Sequence, residues 1–531
     1  MALPQWDADS ASQDRSIIIQ AATIVGVAFI FSRLLGLVRD AVVNYYYGIT
    51  SLEANAYFIA SRFPETIFLI IAGGALGSAF IPTFSAFFTR DDATGGWRLF
   101  SAIINLVTIF TTIVAVLAAI FAPQIIAFFY SDLIGTDPEL LDMTVQMMRL
   151  MLISPTIFGI SGVVMAALNA RQHFLLPAIA PIIYNLGIIA GAIAFAPNVM
   201  GLAIGAVAGS LGHLLIQIPG LRMNKAHYSP VLAVRDPGVI QVLRLMAPRV
   251  LGLSFGQLNH LLIQFLAQSM LVGSIPALGY AWRIMIMPQA IIGQALAIAA
   301  FPTFAILAAR SAMDEMRAIV ADTLRLIFFL SLPAASLLMV LRTPLIALLF
   351  QRGQFDANAT VFVAWALLFY ALSLVGLAAI EIISRAFYAM EDTLTPVLVG
   401  MLQLITMWLI GAWLAKWVFP SLEWLSFGGL AMGYTISTMF ELVLLLWLLR
   451  RKMGGLNGRR ILSGVWRMMV ATLFMTVVSW LTLRELTEIP AFWQLLVVGF
   501  VGGLGYLLAS LALGVTELAQ LTASLRQRLG L

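Results

Sequence analysis

The chain has 531 residues, 61% of them apolar and only 10% charged, with a net charge of +5. Soluble domains are about 45–50% apolar and about 25% charged, so a soluble fold is excluded for want of polar surface. The bilayer fits instead: at roughly 20 residues per span, fourteen helices would use about 280 residues of the apolar supply.

Met1 to Arg15 is polar, carries Asp7, Asp9 and Asp14, and lacks the cationic start of a signal peptide. Apolar runs follow near 17–46, 54–88, 99–130, 140–169, 174–195, 200–221, 238–271, 276–308, 318–350, 357–388, 394–418, 424–449, 461–483 and 490–516. The expectation is an all-α integral membrane protein of about fourteen transmembrane helices. Several runs exceed 30 residues and must tilt, kink or protrude. One set of connections holds sixteen Lys or Arg residues, from Arg15 and Arg90 to Arg526 and Arg528; the alternating set holds only Arg352, Lys416 and Arg484. By the positive-inside rule both termini are expected in the cytoplasm.

The sequence repeats itself at an offset near 220. Gly73, Ala75, Leu76, Ala79, Pro82-Thr83-Phe84 and Arg90 recur as Gly293, Ala295, Leu296, Ala299, Pro302-Thr303-Phe304 and Arg310. Pro123, Ile125 and Phe129 recur as Pro344, Ile346 and Phe350, and Ala60-Ser61-Arg62 as Ala281-Trp282-Arg283. The unit holds six spans, an even number, so the two copies form a parallel repeat. This predicts two pseudo-symmetric six-helix lobes, 16–222 and 238–451, and an additional helix pair at 460–516. Such lobes suit alternating access with the substrate between them; a single-chain channel is the alternative.

Cysteine is absent, which removes disulfides, thiolate metal sites and cysteine nucleophiles. The histidines His173, His213, His227 and His260 form no H-E-x-x-H motif, and none of Lys225, Lys416 and Lys452 follows a glycine as a Walker A lysine does. No metal or cofactor is expected, and no nucleic-acid partner, because the basic residues follow membrane topology. Gly252-Leu253-Ser254-Phe255-Gly256 matches the G-x-S-x-G pattern but lies inside an apolar span without a preceding strand, so helix packing explains it.

Once the residues of the connections are set apart, Lys416 among them, eleven basic residues remain in the spans and all are arginine. Arg244, Arg325 and Arg467 are near cytoplasmic ends, where snorkelling suffices; Arg385 has Glu381 one turn before it. Arg39, Arg62 and Arg283 each sit roughly eight residues from an outer helix end, about 12 Å at the α-helical rise. Three guanidinium groups at one depth predict a cationic ring, with Arg33 and Asp40 beside it. A buried arginine costs about 2.5–3.5 kcal/mol on insertion scales, which favours a water-filled cavity with an anionic guest. Guanidinium pairs bidentately with phosphate and carboxylate. Gln257 and His260, with Gln264 and Gln268, form a polar stripe suited to a sugar or peptide. The structural alternatives are salt bridging through Asp40 and Glu65, and helix–helix hydrogen bonding along the stripe.

Phe31-Ser32-Arg33-Leu34-Leu35-Gly36-Leu37-Val38-Arg39-Asp40 resembles the first-helix signature of the MurJ (MviN) lipid II flippases. The resemblance continues through Ala75 to Pro82, Tyr280-Ala281-Trp282-Arg283, Leu349-Phe350-Gln351-Arg352-Gly353-Gln354-Phe355 and Asp392-Thr393-Leu394-Thr395-Pro396. It implies the fold of the multidrug/oligosaccharidyl-lipid/polysaccharide exporter superfamily. It also implies a cationic cavity containing Arg33, Arg39, Asp40 and Arg283, and a tail groove on the last helix pair. The implied substrate is lipid II, undecaprenyl diphosphate bearing the disaccharide-pentapeptide. Departures stand at Phe68-Leu69 and Gly73, where the family often carries an Arg-Arg pair and an acidic residue, and at Asn55, where an aspartate is common; Arg62 and Glu65 are the candidates to substitute.

The reading is a multi-pass flippase of the bacterial cytoplasmic (inner) membrane, not an enzyme, moving lipid II outward for peptidoglycan synthesis. Cell-wall synthesis machinery is a partner that the sequence does not specify. The closest rival is a flippase for another polyprenyl-diphosphate oligosaccharide. A same-fold drug/cation antiporter fits less well, because it needs cavity carboxylates, and a membrane-bound glycosyltransferase would need a catalytic cluster.

Overall fold

The computed structural model describes residues 27–28, 31–71, 75–134 and 138–518, and every regular element among them is helical. Part of the first predicted span, Gly73 and the tail with Arg526 and Arg528 lie outside the described residues. Among the described residues, eleven segments are long and apolar enough to cross a membrane, against fourteen expected. The other three predicted runs are helical at 31–47, Leu52–Ile71 and Pro237–Ala267. Each of them carries charged side chains: Arg33, Arg39 and Asp40 on the first, Arg62 and Glu65 on the second, Arg244 and Arg249 on the third.

The chain divides into two compact units, residues 1–261 with 352–355, and residues 262–351 with 356–531. The first contains α1 (31–47), α2 (Leu52–Ile71), α3 (Ala75–Phe88), α4 (Ala93–Ile120), α5 (Ala122–Phe129), α6 (Ser131–Ile134), α7 (Pro138–Met151), α8 (Ile153–Ala170), α9 (Leu175–Phe195), α10 (Met200–Leu215), α11 (Ile218–Met223) and most of α12 (Pro237–Ala267). Its core is an aromatic ladder across α3 and α4: Phe80 on Phe84, Phe84 on Trp97 and Trp97 on Phe100, with ring centroids 4.9–5.4 Å apart. Offset and edge-to-face ring contacts of this kind add to the packing of apolar area.

Helices α9 and α10 meet through glycine. A methyl group on Gly205 would lie 2.6 Å from the Gly187 carbonyl, and one on Gly209 would lie 2.6 Å from the Tyr184 carbonyl. Gly187, Gly191, Gly201, Gly205 and Gly209 recur at four-residue spacing, so only hydrogen separates the two backbones along the seam. In a bilayer, where lipid competes with every apolar side chain, close small-residue contact is what holds helices together.

The second unit contains the end of α12, then α13 (Ser274–Gln289), a π-helical turn (Ala290–Gln294), α14 (Ala295–Ala309), α15 (Met313–Val340), α16 (Arg342–Phe350) and α17 (Ala357–Ala389). There follow α18 (Leu394–Trp413), a second π turn (Leu414–Val418), α19 (Phe419–Ser421), α20 (Phe427–Lys452), α21 (Gly458–Glu485) and α22 (Ala491–Ala512).

The sequence repeat is also a repeat of helix ends. Helices α4 and α15 are both 28 residues long. Before α4, Asp91 takes a left-handed φ of 57°, Asp91 N–H donates to the Phe88 carbonyl and Asp92 N–H to the Phe87 carbonyl. Before α15, Ser311 at 55° with Ala312 closes α14 onto Ala308 and Leu307 in the same way. Gln172 at 59° and Glu391 at 60° end α8 and α17 by the identical pattern. These are Schellman closures, which satisfy the orphan carbonyls of a helix C-terminus.

Helices α21 and α22 pack on each other, α21 lies on α15, and α22 contacts α16 and α15. Polar ties cross these faces: Ser336 Oγ to Thr476 Oγ1 at 2.6 Å, and Tyr506 hydroxyl donating to the Phe329 carbonyl at 2.9 Å. Arg325 on α15 is buried and paired with buried Glu517 at 2.5 Å, and its Nη2 donates to Thr516 Oγ1 at 2.8 Å. This corrects the expectation that Arg325 snorkels; its charge is met inside the protein, beyond α22. Arg467 does reach outward, donating to the Gly514 carbonyl at 3.1 Å.

Candidate functional site

Arg39 lies two turns from the end of α1, next to the buried Asp40. Its Nη2 and Nε both donate to Asp40 Oδ1, at 2.7 and 3.0 Å, and its Nη1 donates to Asn185 Oδ1 of α9 at 3.1 Å. Asn185 is itself set, because its Nδ2 donates to the Pro181 carbonyl at 3.1 Å. Three of the five guanidinium N–H groups are thereby committed, which fixes the plane of the fork. Tyr57 and Tyr184 lie within electrostatic reach of it. Arg33, nearly two turns earlier, is exposed.

Arg62 on α2 is buried to 8% exposure. Its Nη1 is 3.4 Å from Glu65 Oε2, a loose pair with a half-exposed carboxylate, and its Nη2 donates to Gln257 Oε1 of α12 at 3.2 Å. Its Nε is a buried donor that meets no acceptor among the described residues. Such a donor costs about 1–3 kcal/mol when desolvated, so a guest acceptor there recovers that cost. Gln257 meets Arg62 through its amide oxygen, which leaves the amide nitrogen outside that bond. His260, one turn on, interacts electrostatically with Arg62.

The first unit therefore brings Arg39 to Asp40 and Arg62 to Gln257 and His260. Arg283 stands in the second unit on α13, with its guanidinium carbon 5.6 Å from the Tyr280 ring centroid. Nearby, Trp282, Tyr370 and Tyr434 form a triangle of rings at 5.0–5.7 Å. Asp40 and Glu65 serve arginines on their own helices.

Asn185 escaped the reading of the sequence, although one amide in the middle of an otherwise apolar run was the signal for it. Two of the departures from the family pattern have local explanations. Phe68 packs on Phe158 with centroids 4.5 Å apart, and Asn55 donates to the Ile49 and Ser51 carbonyls at 3.0 and 2.8 Å, bracing the start of α2. Ser254 of the G-x-S-x-G match donates to the Val250 carbonyl at 2.8 Å, as a serine inside a helix does. Glu381 interacts with Arg385 and takes a hydrogen bond from Gln289, beside the first π turn. Among the described residues no three His, Asp or Glu side chains are grouped to hold a metal.

The family model described as "Lipid II flippase MurJ" matches residues 43–499. The lipid II flippase MurJ of Burkholderia cenocepacia is 28% identical over 443 residues, covering 82% of this chain and 84% of the relative. The probable lipid II flippase MurJ of Vibrio cholerae is 28% identical over 438 residues, covering 81% and 82%. Among solved structures, a lipid II flippase MurJ in an inward closed conformation superposes with a TM-score of 0.74 at 22% identity, covering 92% of this chain and 98% of the other. An inward-facing multidrug resistance MATE family transporter of the MOP superfamily gives 0.66 at 15% identity, covering 82% and 99%.

Proposed function

The chain belongs to the lipid II flippase MurJ family, and from that membership we infer that it translocates lipid II across the membrane in which it is embedded. It is a transporter and not an enzyme. The membrane is the bacterial cytoplasmic membrane, and the alternation of basic loops supports a reading with both termini on its cytoplasmic side. Lipid II enters from the inner leaflet and leaves to the outer one. The single observation that carries the binding reading is the pair of intramembrane guanidinium groups, Arg39 and Arg62, each held by a neutral amide and a neighbouring carboxylate with N–H groups left over.

The diphosphate is the part of the substrate that hydrocarbon excludes most strongly, and these groups meet it. Asp40 and Asn185 hold the Arg39 fork at fixed orientation, so binding a phosphate oxygen loses little side-chain entropy. Arg62 contributes its unpartnered Nε, and Gln257 and His260 face the sugar and peptide. Arg33 on α1 adds a further cation to the first unit, and Arg283 on α13 is the corresponding cation of the second. Gly458 onward supplies a helix pair outside the repeat, which carries the prenyl tail while the headgroup crosses.

Complementation tests this. Expression in a strain depleted of its own lipid II flippase restores growth, and proteoliposomes move lipid II to the opposite leaflet. Transport of another polyprenyl-diphosphate glycan, with lipid II left behind, would replace the reading with the rival flippase.

A further inference from the structure

The second unit contains a pocket of about 640 Å³ where the turn after α12 meets the turn between α18 and α20. It is lined by Ser269, Met270, Lys416, Glu423, Trp424 and Ser426, among others. Its volume lies within the roughly 300–1,000 Å³ of small-molecule sites. Three observations make it a built site. Trp424 is 45% exposed, yet its ring is braced by Trp365, Phe369 and Phe419 at 5.3–6.4 Å. Trp365 Nε1 also donates to the Leu425 carbonyl at 3.0 Å, and only a glycine at 428 leaves room for that indole. Lys416 sits in the π turn Leu414–Val418, and Glu423 holds a left-handed φ of 58° in the turn that follows. Irregular backbone of both kinds concentrates at functional sites.

The chemistry is specific. Lys416 and Glu423 form no ion pair among the described residues, so one pocket presents a free cation, a free carboxylate, two hydroxyls and an aromatic face. A guest with carboxylates, an ammonium group and sugar rings satisfies all of these. Within this unit the opposite helix ends carry Arg310, Arg317, Arg450, Arg451, Lys452, Arg459 and Arg460, so the pocket opens at the base-poor, outward end. We propose that it is an exit subsite that binds the sugar–peptide headgroup after translocation, the Trp424 face against a sugar ring and Lys416 and Glu423 on the charged groups of the peptide. The proposal rests on the lipid II reading above.

The test uses the full-length protein in detergent and a water-soluble disaccharide-pentapeptide lacking the prenyl diphosphate, followed by calorimetry and tryptophan fluorescence. The headgroup should bind the parent. Lys416→Met and Glu423→Gln should each weaken it by about tenfold or more, the worth of one charge-assisted contact, and Trp424→Ala should weaken it by about tenfold through loss of the aromatic face. Trp424→Phe, which keeps a packed aromatic face, should stay within a few-fold of the parent and controls for folding. Unchanged affinity in Trp424→Ala, or no headgroup binding by the parent, overturns the proposal. So does a parent that takes short-chain phosphatidylglycerol there and not the headgroup, since Trp424 would then be an interfacial anchor. Lipid II transport by the same parent preparation separates the two claims: transport without headgroup binding removes only the subsite, whereas no transport removes the flippase reading itself.

Discussion

The buried Arg325–Glu517 pair is the sharpest test of how α21 and α22 are held. The two side chains are 9% and 5% exposed and meet at 2.5 Å. At an effective dielectric of about 20, two unit charges at that distance attract by roughly 6–7 kcal/mol, against a desolvation cost of several kcal/mol per ion. The net value of the pair is therefore small, while removing one partner strands the other and costs about 3–5 kcal/mol. Glu517→Leu and Arg325→Met should each lower the thermal midpoint strongly, and Glu517→Leu combined with Arg325→Met should recover most of the loss. Gly464 adds an independent check, because a methyl group there would lie 2.9 Å from Arg325 Nε and 3.1 Å from Cζ. Gly464→Ala should displace the guanidinium from Glu517 at a cost of about 1–3 kcal/mol. The readout is thermal unfolding in one detergent, arranged as a double-mutant cycle. Additive single losses, or single losses below about 1 kcal/mol, would refute the pairing.

In the substrate site, Arg39→Ala should weaken lipid II binding by roughly 10- to 150-fold, the worth of one charged hydrogen bond; Arg39→Lys, which keeps the charge but loses the bidentate fork, should retain part of that binding, measured on the same purified protein. Asp392, in the turn after α17, tests pH linkage: partial burial opposes its charge, but the Lys452 ammonium at 2.5 Å and the Thr395 backbone and hydroxyl groups hold its carboxyl below the ordinary range. A depressed value means stability that is present above the unfolded carboxylate pKa, about 3.9, and is lost as pH falls through the folded one. The thermal midpoint of the parent should therefore drop more steeply below about pH 4 than that of Asp392→Asn. For topology, cysteines placed at Gly454 and Asn457 should resist impermeant thiol reagents in intact cells, and cysteines at Thr50 and Ser421 should react; labelling of the 454–457 turn from outside would refute a cytoplasmic loop.

Composition and hydropathy were enough to anticipate an all-helical membrane chain, because each is a local property, and the family was legible in the resemblance carried by Phe31–Asp40 and the related motifs. The repeat was more legible than its mechanics: Pro82-Thr83-Phe84 and Pro302-Thr303-Phe304 announce it, but the left-handed Asp91 and Ser311 that end those helices have unlike side chains. Arg39 and Arg62 could be singled out by depth alone. Their partners could not all be, since Asn185 lies on a helix reached only by folding. Glu517 is almost two hundred residues from Arg325, so hydropathy counted that arginine as an end-of-helix cation. The glycine seam of α9 and α10 emerged only from the fold, because spacing within one helix does not say which helix it faces.

The glycine seam between α9 and α10 has a mechanical consequence. Where two backbones touch, there are no intervening side chains to change rotamer, so the hairpin has no soft layer in which to absorb displacement. It behaves as a single strut. Asn185 is mounted on that strut and grips Arg39 of α1, so any movement of the hairpin is delivered undamped to the guanidinium. A bulkier residue at Gly205 would wedge the strut open and misaim a charge two helices away, leaving every residue at that charge unaltered.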